Sequence, residues 1–350
     1  MLGISVYLQE PIEEEKIRRF YDAGFRSLFT SLHIPEEDAS AYRTKLQLLG
    51  SIASALDMEL IADISTASME KLDLDWDSAE TVLNWGLTGL RIDYGIEDEV
   101  IVRLSQKMKV ALNASTLTKN QLERLIQAGL RTTHTEVWHN FYPRPETGLA
   151  LSDFLAKNLL FQTHGLKVQA FIPGDRNLRG PLHQGLPTLE QHRMYGTFAA
   201  FTELKAYKVD KILIGDPDVT DGALMQLKDA SNTIALRAQH YGERTEAHHL
   251  LEQGTHNRPD RARDVIRSEE SRMSGMFQNV ELTPFNCIER NEGSITIDND
   301  LYMRYKGEIQ ITRRNLPQDD KVNVIGQILP EDVPLLNYIE ARKHFRVIWV

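Results

Sequence analysis

The chain has one cysteine among its 350 residues, Cys287, so no intramolecular disulfide can form and a reducing compartment is expected. It also lacks a basic excess: 40 Lys and Arg against 50 Asp and Glu give a formal net charge of −10. Nucleic acid and anionic membrane surfaces both require a basic field, so neither is expected as a partner. No apolar run approaches the roughly 20 residues a membrane span needs. The N-terminus, Met1-Leu-Gly-Ile-Ser-Val-Tyr-Leu8, has no basic stretch and is broken by Gln9 and Glu10. It reads as a first strand, not a signal peptide. These absences predict a soluble, cytoplasmic protein. No GxGxxG turn follows the first strand and no histidine pair has HExxH spacing, so neither a cofactor nor a metal is expected. Cys287 itself, in Phe285-Asn-Cys-Ile288, reads as a small core residue of a strand.

What the sequence does have is a rhythm. Short apolar runs and amphipathic helix patterns alternate up to about residue 233, with strands predicted near 3–8, 27–31, 59–64, 89–94, 109–113, 131–137, 167–172 and 211–215. Several are continuously apolar, such as Ile212-Leu-Ile214, as strands buried on both faces are. Ala23-Gly24-Phe25, Ala128-Gly129-Leu130 and His164-Gly165-Leu166 each end a helix and start a strand, because glycine takes the left-handed conformation that stops a helix. Thr188 followed by Gln191 has capping-box spacing. Eight strand–helix units in this length predict an α/β (β/α)₈ TIM barrel over residues 1–237. From there Ser294-Ile-Thr-Ile-Asp298, Glu308–Thr312, Val322–Ile328 and Phe345–Val350 alternate, with one short helix near 333–341. They predict a small antiparallel β-barrel domain over 238–350. The arginine-rich segment Asn257–Arg272 reads either as a solvated helix balanced by Asp260, Asp264, Glu269 and Glu270, or as a source of Arg258 or Arg263 for an anionic ligand.

In such barrels the site is built where the strands end. The strand-end residues are Tyr7, Glu10, His33, Asp63, Asp93, Asn113, Glu136, His139, Asp175 and Asp216. Packing alone does not need so many carboxylates on one rim, although any single one can be a helix cap. Two long loops carry more polar chemistry: His139-Asn-Phe-Tyr-Pro-Arg-Pro-Glu-Thr-Gly148 after strand six, and Pro173–Thr188, with Arg176 and Arg179, after strand seven.

The strings Arg91-Ile-Asp-Tyr-Gly95, Asn113-Ala-Ser-Thr-Leu117, His139–Gly148, Arg179-Gly-Pro-Leu-His-Gln-Gly-Leu-Pro-Thr-Leu189 and Ile214-Gly-Asp-Pro217 resemble the 6-phospho-N-acetylmuramidase family (MupG). The resemblance runs the whole length. It implies a TIM barrel followed by a cyclophilin-like β domain. It also implies cytoplasmic hydrolysis of the β-1,4 bond between N-acetylmuramic acid 6-phosphate and N-acetylglucosamine in peptidoglycan recycling, with that small phosphorylated amino-sugar disaccharide as the partner. Glycoside hydrolysis usually uses two carboxyl groups. Two of Asp63, Asp93 and Glu136 are expected to serve, with Glu136 preferred as general acid because a carboxyl beside the apolar Val137 and Trp138 is more easily held protonated. Arg144, Arg176 and Arg179 are the cations for the phosphate and lactyl groups. Asn113, His139, Asn140, Tyr142, Asp175 and Asp216 complete the expected substrate-binding set, Asp216 doubling as reserve acid. Two alternatives stand beside this one. One is a metal-dependent phosphosugar isomerase or lyase using Asp63, Asp93, Glu136 and His139 as ligands, and the other a non-catalytic sugar-phosphate sensor.

Overall fold

Eight short strands alternate with helices from the N-terminus: β1 Leu2–Ser5, β2 Ser27–Ser31, β3 Glu59–Ile64, β4 Gly89–Ile92, β5 Lys109–Asn113, β6 Thr135–Trp138, β7 Lys167–Ile172 and β8 Lys211–Ile214. The helices are α1 Glu14–Asp22, α2 Ala39–Ala55, α3 Thr66–Lys71, α4 Asp98–Lys107, α5 Lys119–Gln127, α6 Leu151–Thr163, α7 Thr197–Ala206 and α8 Asp221–Lys228. The computed structural model describes residues 1–32, 39–92, 95–230, 232–273 and 275–350. All eight strands pair in parallel. β1 pairs both β2 (Gly3 opposite Ser27) and β8 (Gly3 opposite Leu213), which closes a TIM barrel.

Local sequence explains these elements. Every residue of β2 and β8 is buried, because one face fills the barrel and the other carries helices. The chain leaves α1, α5 and α6 through Gly24, Gly129 and Gly165, whose φ values are 94°, 101° and 76°. Where β4 meets β5 only glycine fits: a Cβ on Gly89 would lie 2.2 Å from the Lys109 carbonyl oxygen. Phe29, Ile61, Ala111, Trp138, Phe171 and Leu213, one from each of six strands, form one buried cluster, so these positions point into the barrel. The rings of Phe29 and Phe171 meet edge to face at 5.3 Å.

Two local expectations change. Strand six starts later than 131, because Thr132–His134 form a 3₁₀ turn before β6. Thr188 does not cap a helix. Its hydroxyl accepts from Phe171 N–H and donates to the Asn140 carbonyl, tying the loop after β6 to β7.

By contact density the chain divides into two compact units, Met1–Leu224 and Met225–Val350. The second unit holds β9 Ile234–His240, α9 Glu246–Gln253, β10 Thr255–His256, β11 Val265–Arg267, α10 Glu269–Met273, β12 Ser294–Asp298, β13 Ile309–Thr312, β14 Val322–Ile328 and β15 His344–Trp349. They form one sheet in the order β10-β15-β9-β14-β12-β13-β11. An Asn257–Ser268 bridge joins its two edges, so the sheet is nearly closed. The sheet is mixed rather than wholly antiparallel, since β15 runs parallel to β9, a strand that sequence patterning leaves unassigned. The arginine-rich segment is mostly loop and strand, not one helix. Four of its five arginines are met by carboxylates: Arg258 and Arg267 by Asp260, Arg263 by Asp264, and Arg272 by Glu308. Cys287 lies outside any strand, half-buried. Among the described residues no helix is long and apolar enough to cross a membrane.

Candidate active site

Side chains alternate along a strand, so the inward cluster fixes which residues face the lumen at either end. Two positions further along each strand, at the C-terminal rim, come Ser31, Asp63, Asn113 and Asn140, with Arg91 in register beside Asp63. Asp63 and Asn140 are joined through Arg91. Arg91, 5% exposed, donates from Nη1 to Asp63 Oδ1 at 2.7 Å and from Nη2 to Asn140 Oδ1. Asn113 is buried and its Oδ1 accepts from Ser115 N–H, while the Ser115 and Tyr142 hydroxyls lie 3.3 Å apart. Thus Asp63, Arg91 and Asn140 form one bonded polar chain, and Asn113, Ser115 and Tyr142 a second, at the C-terminal ends of strands three to six. Sequence reasoning left Arg91 out of the site. The signal was present, since it stands two residues after the lumen-facing Gly89.

The loop after β7 is held by carboxylates that serve its backbone. Asp216, 1% exposed, accepts from the N–H groups of Gly174 (2.9 Å), Leu186 (3.0 Å) and Arg179 (3.0 Å). Burial pushes its pKa above the usual carboxylate range, although those N–H groups oppose the shift. Asp175 accepts from Thr220 N–H and Oγ1 ahead of α8. These contacts tie both carboxylates to the backbone around the loop after β7. The Arg179 guanidinium carbon lies over Tyr7, 3.9 Å from its ring centroid, while the buried Tyr7 hydroxyl donates to the Gly215 carbonyl. Desolvation raises the Tyr7 pKa further, so it remains a neutral donor. Arg176 is half-exposed, 3.7 Å from Asp218, and Arg144 is exposed.

Sequence reasoning also missed the pin between the two loops. Glu190 accepts from the N–H groups of Glu146 and Gly148 and from Nε and Nη2 of Arg193. Arg193 donates in turn to the carbonyls of Tyr142, Gln184 and Gly185. The hydrogen-bonded Arg193 holds the Glu190 carboxyl at a pKa of about 2. The Glu190–Arg193 spacing of three residues was the available clue.

Two expected site residues lie elsewhere. Glu136 is the second residue of β6, not a strand end. It sits two positions before the inward Trp138, in the layer at the opposite end of the barrel. There its Oε2 accepts from Trp138 Nε1 (2.8 Å) and from Lys211 Nζ (2.6 Å). Lys211 also pairs with Glu59, and Glu59 with Lys109. His139 follows the inward Trp138 and therefore faces outward against α6. It bonds Asn158 Oδ1 at 2.7 Å and lies 4.6 Å from the Phe154 ring, and burial lowers its pKa to about 4. The ligand set Asp63, Glu136 and His139 that a metal-dependent reaction would use is therefore not brought together. Among the described residues no cluster of three or more His, Cys, Asp or Glu is placed to hold a metal ion. His33 and Asp93 lie outside the described residues.

Family models cover nearly the whole chain. One described as 6-phospho-N-acetylmuramidase, N-terminal, matches residues 2–229, and its C-terminal counterpart matches 233–348. Among solved structures, a conserved Enterococcus faecalis protein of unknown function is 38% identical with a TM-score of 0.88, the match covering 100% of this chain and 96% of that one. An uncharacterized B. cereus protein is 26% identical with a TM-score of 0.74, over 99% of both chains. No curated protein matches.

Proposed function

We propose, for a chain that belongs to the 6-phospho-N-acetylmuramidase family and is thereby a glycoside hydrolase, that it cleaves N-acetylmuramic acid 6-phosphate from N-acetylglucosamine at the barrel rim of strands three to six. Its place is cytoplasmic recycling of cell-wall disaccharides. The observation that carries the assignment to this rim is the Asp63–Arg91–Asn140 chain, which directs a carboxylate, a guanidinium and an amide toward the lumen.

Roles follow from that geometry. Asp63, ion-paired with Arg91 at 2.7 Å, suits the partner that acts on the anomeric carbon, directly, through water, or by steadying the substrate's own 2-acetamido group. The general acid is then Asp93, two residues beyond Arg91 in sequence, and Glu136 is withdrawn from that role. Asn113, Asn140 and Tyr142 offer donors and acceptors to sugar hydroxyl and acetamide groups. The guanidinium of Arg179, with Arg176 on the same loop and Arg144 on the loop after β6, supplies charge for the phosphate and lactyl carboxylate. Fixing such a guanidinium against Tyr7 reduces the ordering cost of bidentate phosphate binding.

Release of N-acetylglucosamine from the synthetic phosphorylated disaccharide, followed by chromatography, tests the proposal. Turnover of that substrate, and little or none of the unphosphorylated one, is expected. Absence of turnover, or equal turnover of both, would overturn it.

A further inference from the structure

The second unit contains a cavity of about 470 Å³ that the proposed hydrolysis does not use. Its volume is that of a small-molecule site. Ile297 of β12 and Ile325 of β14 line its floor, and Tyr241, Phe277, Leu282 and Phe285 are among its walls. Phe285 is 51% exposed although it is a large apolar side chain in a chain with an ample core. Apolar surface left open in this way costs about 25 cal/mol per Å² unless something covers it.

The charge around the cavity has one sign. Glu243, Glu246 and Glu281 line it, all exposed, and none has an ion-pair partner among the described residues. No Lys or Arg contributes to the lining among the described residues, and the adjacent Arg244 is engaged by Glu252 at 2.6 Å. The one histidine, His248, is saturated: Nδ1 meets Thr245, and Nε2 meets the Ile325 carbonyl at 3.0 Å. Burial lowers its pKa, so it adds no positive charge at neutral pH. An apolar interior behind three unpaired carboxylates repels anions, including the phosphorylated substrate proposed for the barrel. It favours a ligand whose body is apolar and whose head is cationic, held by desolvation, by ring faces and by carboxylates at the mouth.

From this juxtaposition of a mostly apolar cavity and an unpaired acidic rim, we infer that the second unit binds an organic cation with an apolar body, at a site separate from the hydrolytic one. The ligand class is an aryl- or alkylammonium compound, and the full chain carries the site.

Three probes with one body and different heads test this: 4-phenylbutylamine, 4-phenylbutan-1-ol and 4-phenylbutyrate. Binding to the intact protein is read by saturation-transfer NMR and titration calorimetry. The amine should bind tightest and the carboxylate weakest, with Kd values separated by about ten-fold or more, the ratio that 1.4 kcal/mol represents. The combined variant Glu243→Gln, Glu246→Gln, Glu281→Gln should erase the amine's advantage over the alcohol and leave alcohol binding in place. Ile325→Trp should fill the cavity and abolish binding of all three while hydrolysis by the barrel persists. Should that variant fail to fold, Val280→Trp at the half-buried wall replaces it. No saturation transfer to the amine, a carboxylate that binds as tightly as the amine, or amine binding that survives the cavity-filling variant would each overturn the inference.

Discussion

Glu136→Gln separates a catalytic carboxylate from a structural one more sharply than any other substitution in the barrel. Glu59, Lys109, Glu136 and Lys211 form a charge-balanced group, two of each sign, and Glu136 and Lys211 are respectively 7% and 3% exposed. Removing one anion leaves a net buried positive charge, and breaking such a pair typically costs 3–5 kcal/mol. The lower end applies here for two reasons. The amide oxygen can still accept from Trp138, and Lys211 retains Glu59, whose carboxyl is held below its usual pKa because Lys211 and Lys109 outweigh the opposing effect of burial. A loss of about 3 kcal/mol corresponds to a fall in Tm of roughly 6–12 °C for a unit of this size. The assay is a thermal melt alongside kcat measured well below the transition. Structure predicts the lower Tm with kcat within a few-fold of wild type. A general acid would instead lose about 10²–10⁴-fold in kcat. A variant that melts like wild type but loses at least a hundred-fold in kcat would refute this reasoning and return Glu136 to the chemistry.

Three further outcomes follow from the same contacts. Arg179→Ala should raise KM for the phosphorylated disaccharide about 10–100-fold, as loss of a charge-assisted hydrogen bond does, with little change for an unphosphorylated analogue; equal effects on both would remove Arg179 from phosphate binding. The carboxyl of Glu190 titrates near 2 in the folded state against 4.5 when free, so the stability it contributes is present above about pH 4.5 and is lost as pH falls toward 2. Glu190→Gln should flatten that acid limb in denaturation curves, and an unchanged limb would show that the Arg193 contact contributes nothing. Asp298 behaves oppositely: burial, then the charges of Glu308 and Asp319, raise its pKa from 3.8 to about 7, so the folded state binds the extra proton and stability declines as pH rises through that window. Asp298→Asn should remove the decline and make the protein more stable than wild type at pH 8; a variant less stable there would contradict the sign.

The barrel was legible because its signals are local. Continuous apolar runs gave the strands, and the glycines that stop α1, α5 and α6 gave their spacing. The candidate site is legible only where the strand ends are correctly set. Asp63, the last but one residue of β3, and Asn113, the last of β5, stand at the C-terminal rim and face the lumen. Glu136 reads as a strand end in the sequence, but the 3₁₀ turn at Thr132–His134 delays β6 and makes it the second residue. His139 has the opposite parity, being the outward neighbour of an inward tryptophan. The pattern that marks the buried ionic group was present but unread: charged residues at or near the starts of β3, β5, β6 and β8, where an apolar residue is the rule. Asp216 was beyond reach for a different reason. Its partners Gly174, Arg179 and Leu186 lie 30–42 residues away, and only the folded loop brings their N–H groups together.

The most direct test of the account is a proton NMR time course of the phosphorylated disaccharide with wild-type protein and with Asp63→Asn, both checked for folding by circular dichroism. New anomeric signals of N-acetylmuramic acid 6-phosphate and N-acetylglucosamine are expected with wild type, and their appearance at least about a hundred-fold more slowly with the variant. No new anomeric signal from wild type, or an Asp63→Asn rate equal to it, would contradict the central claim that this barrel rim hydrolyses the glycosidic bond.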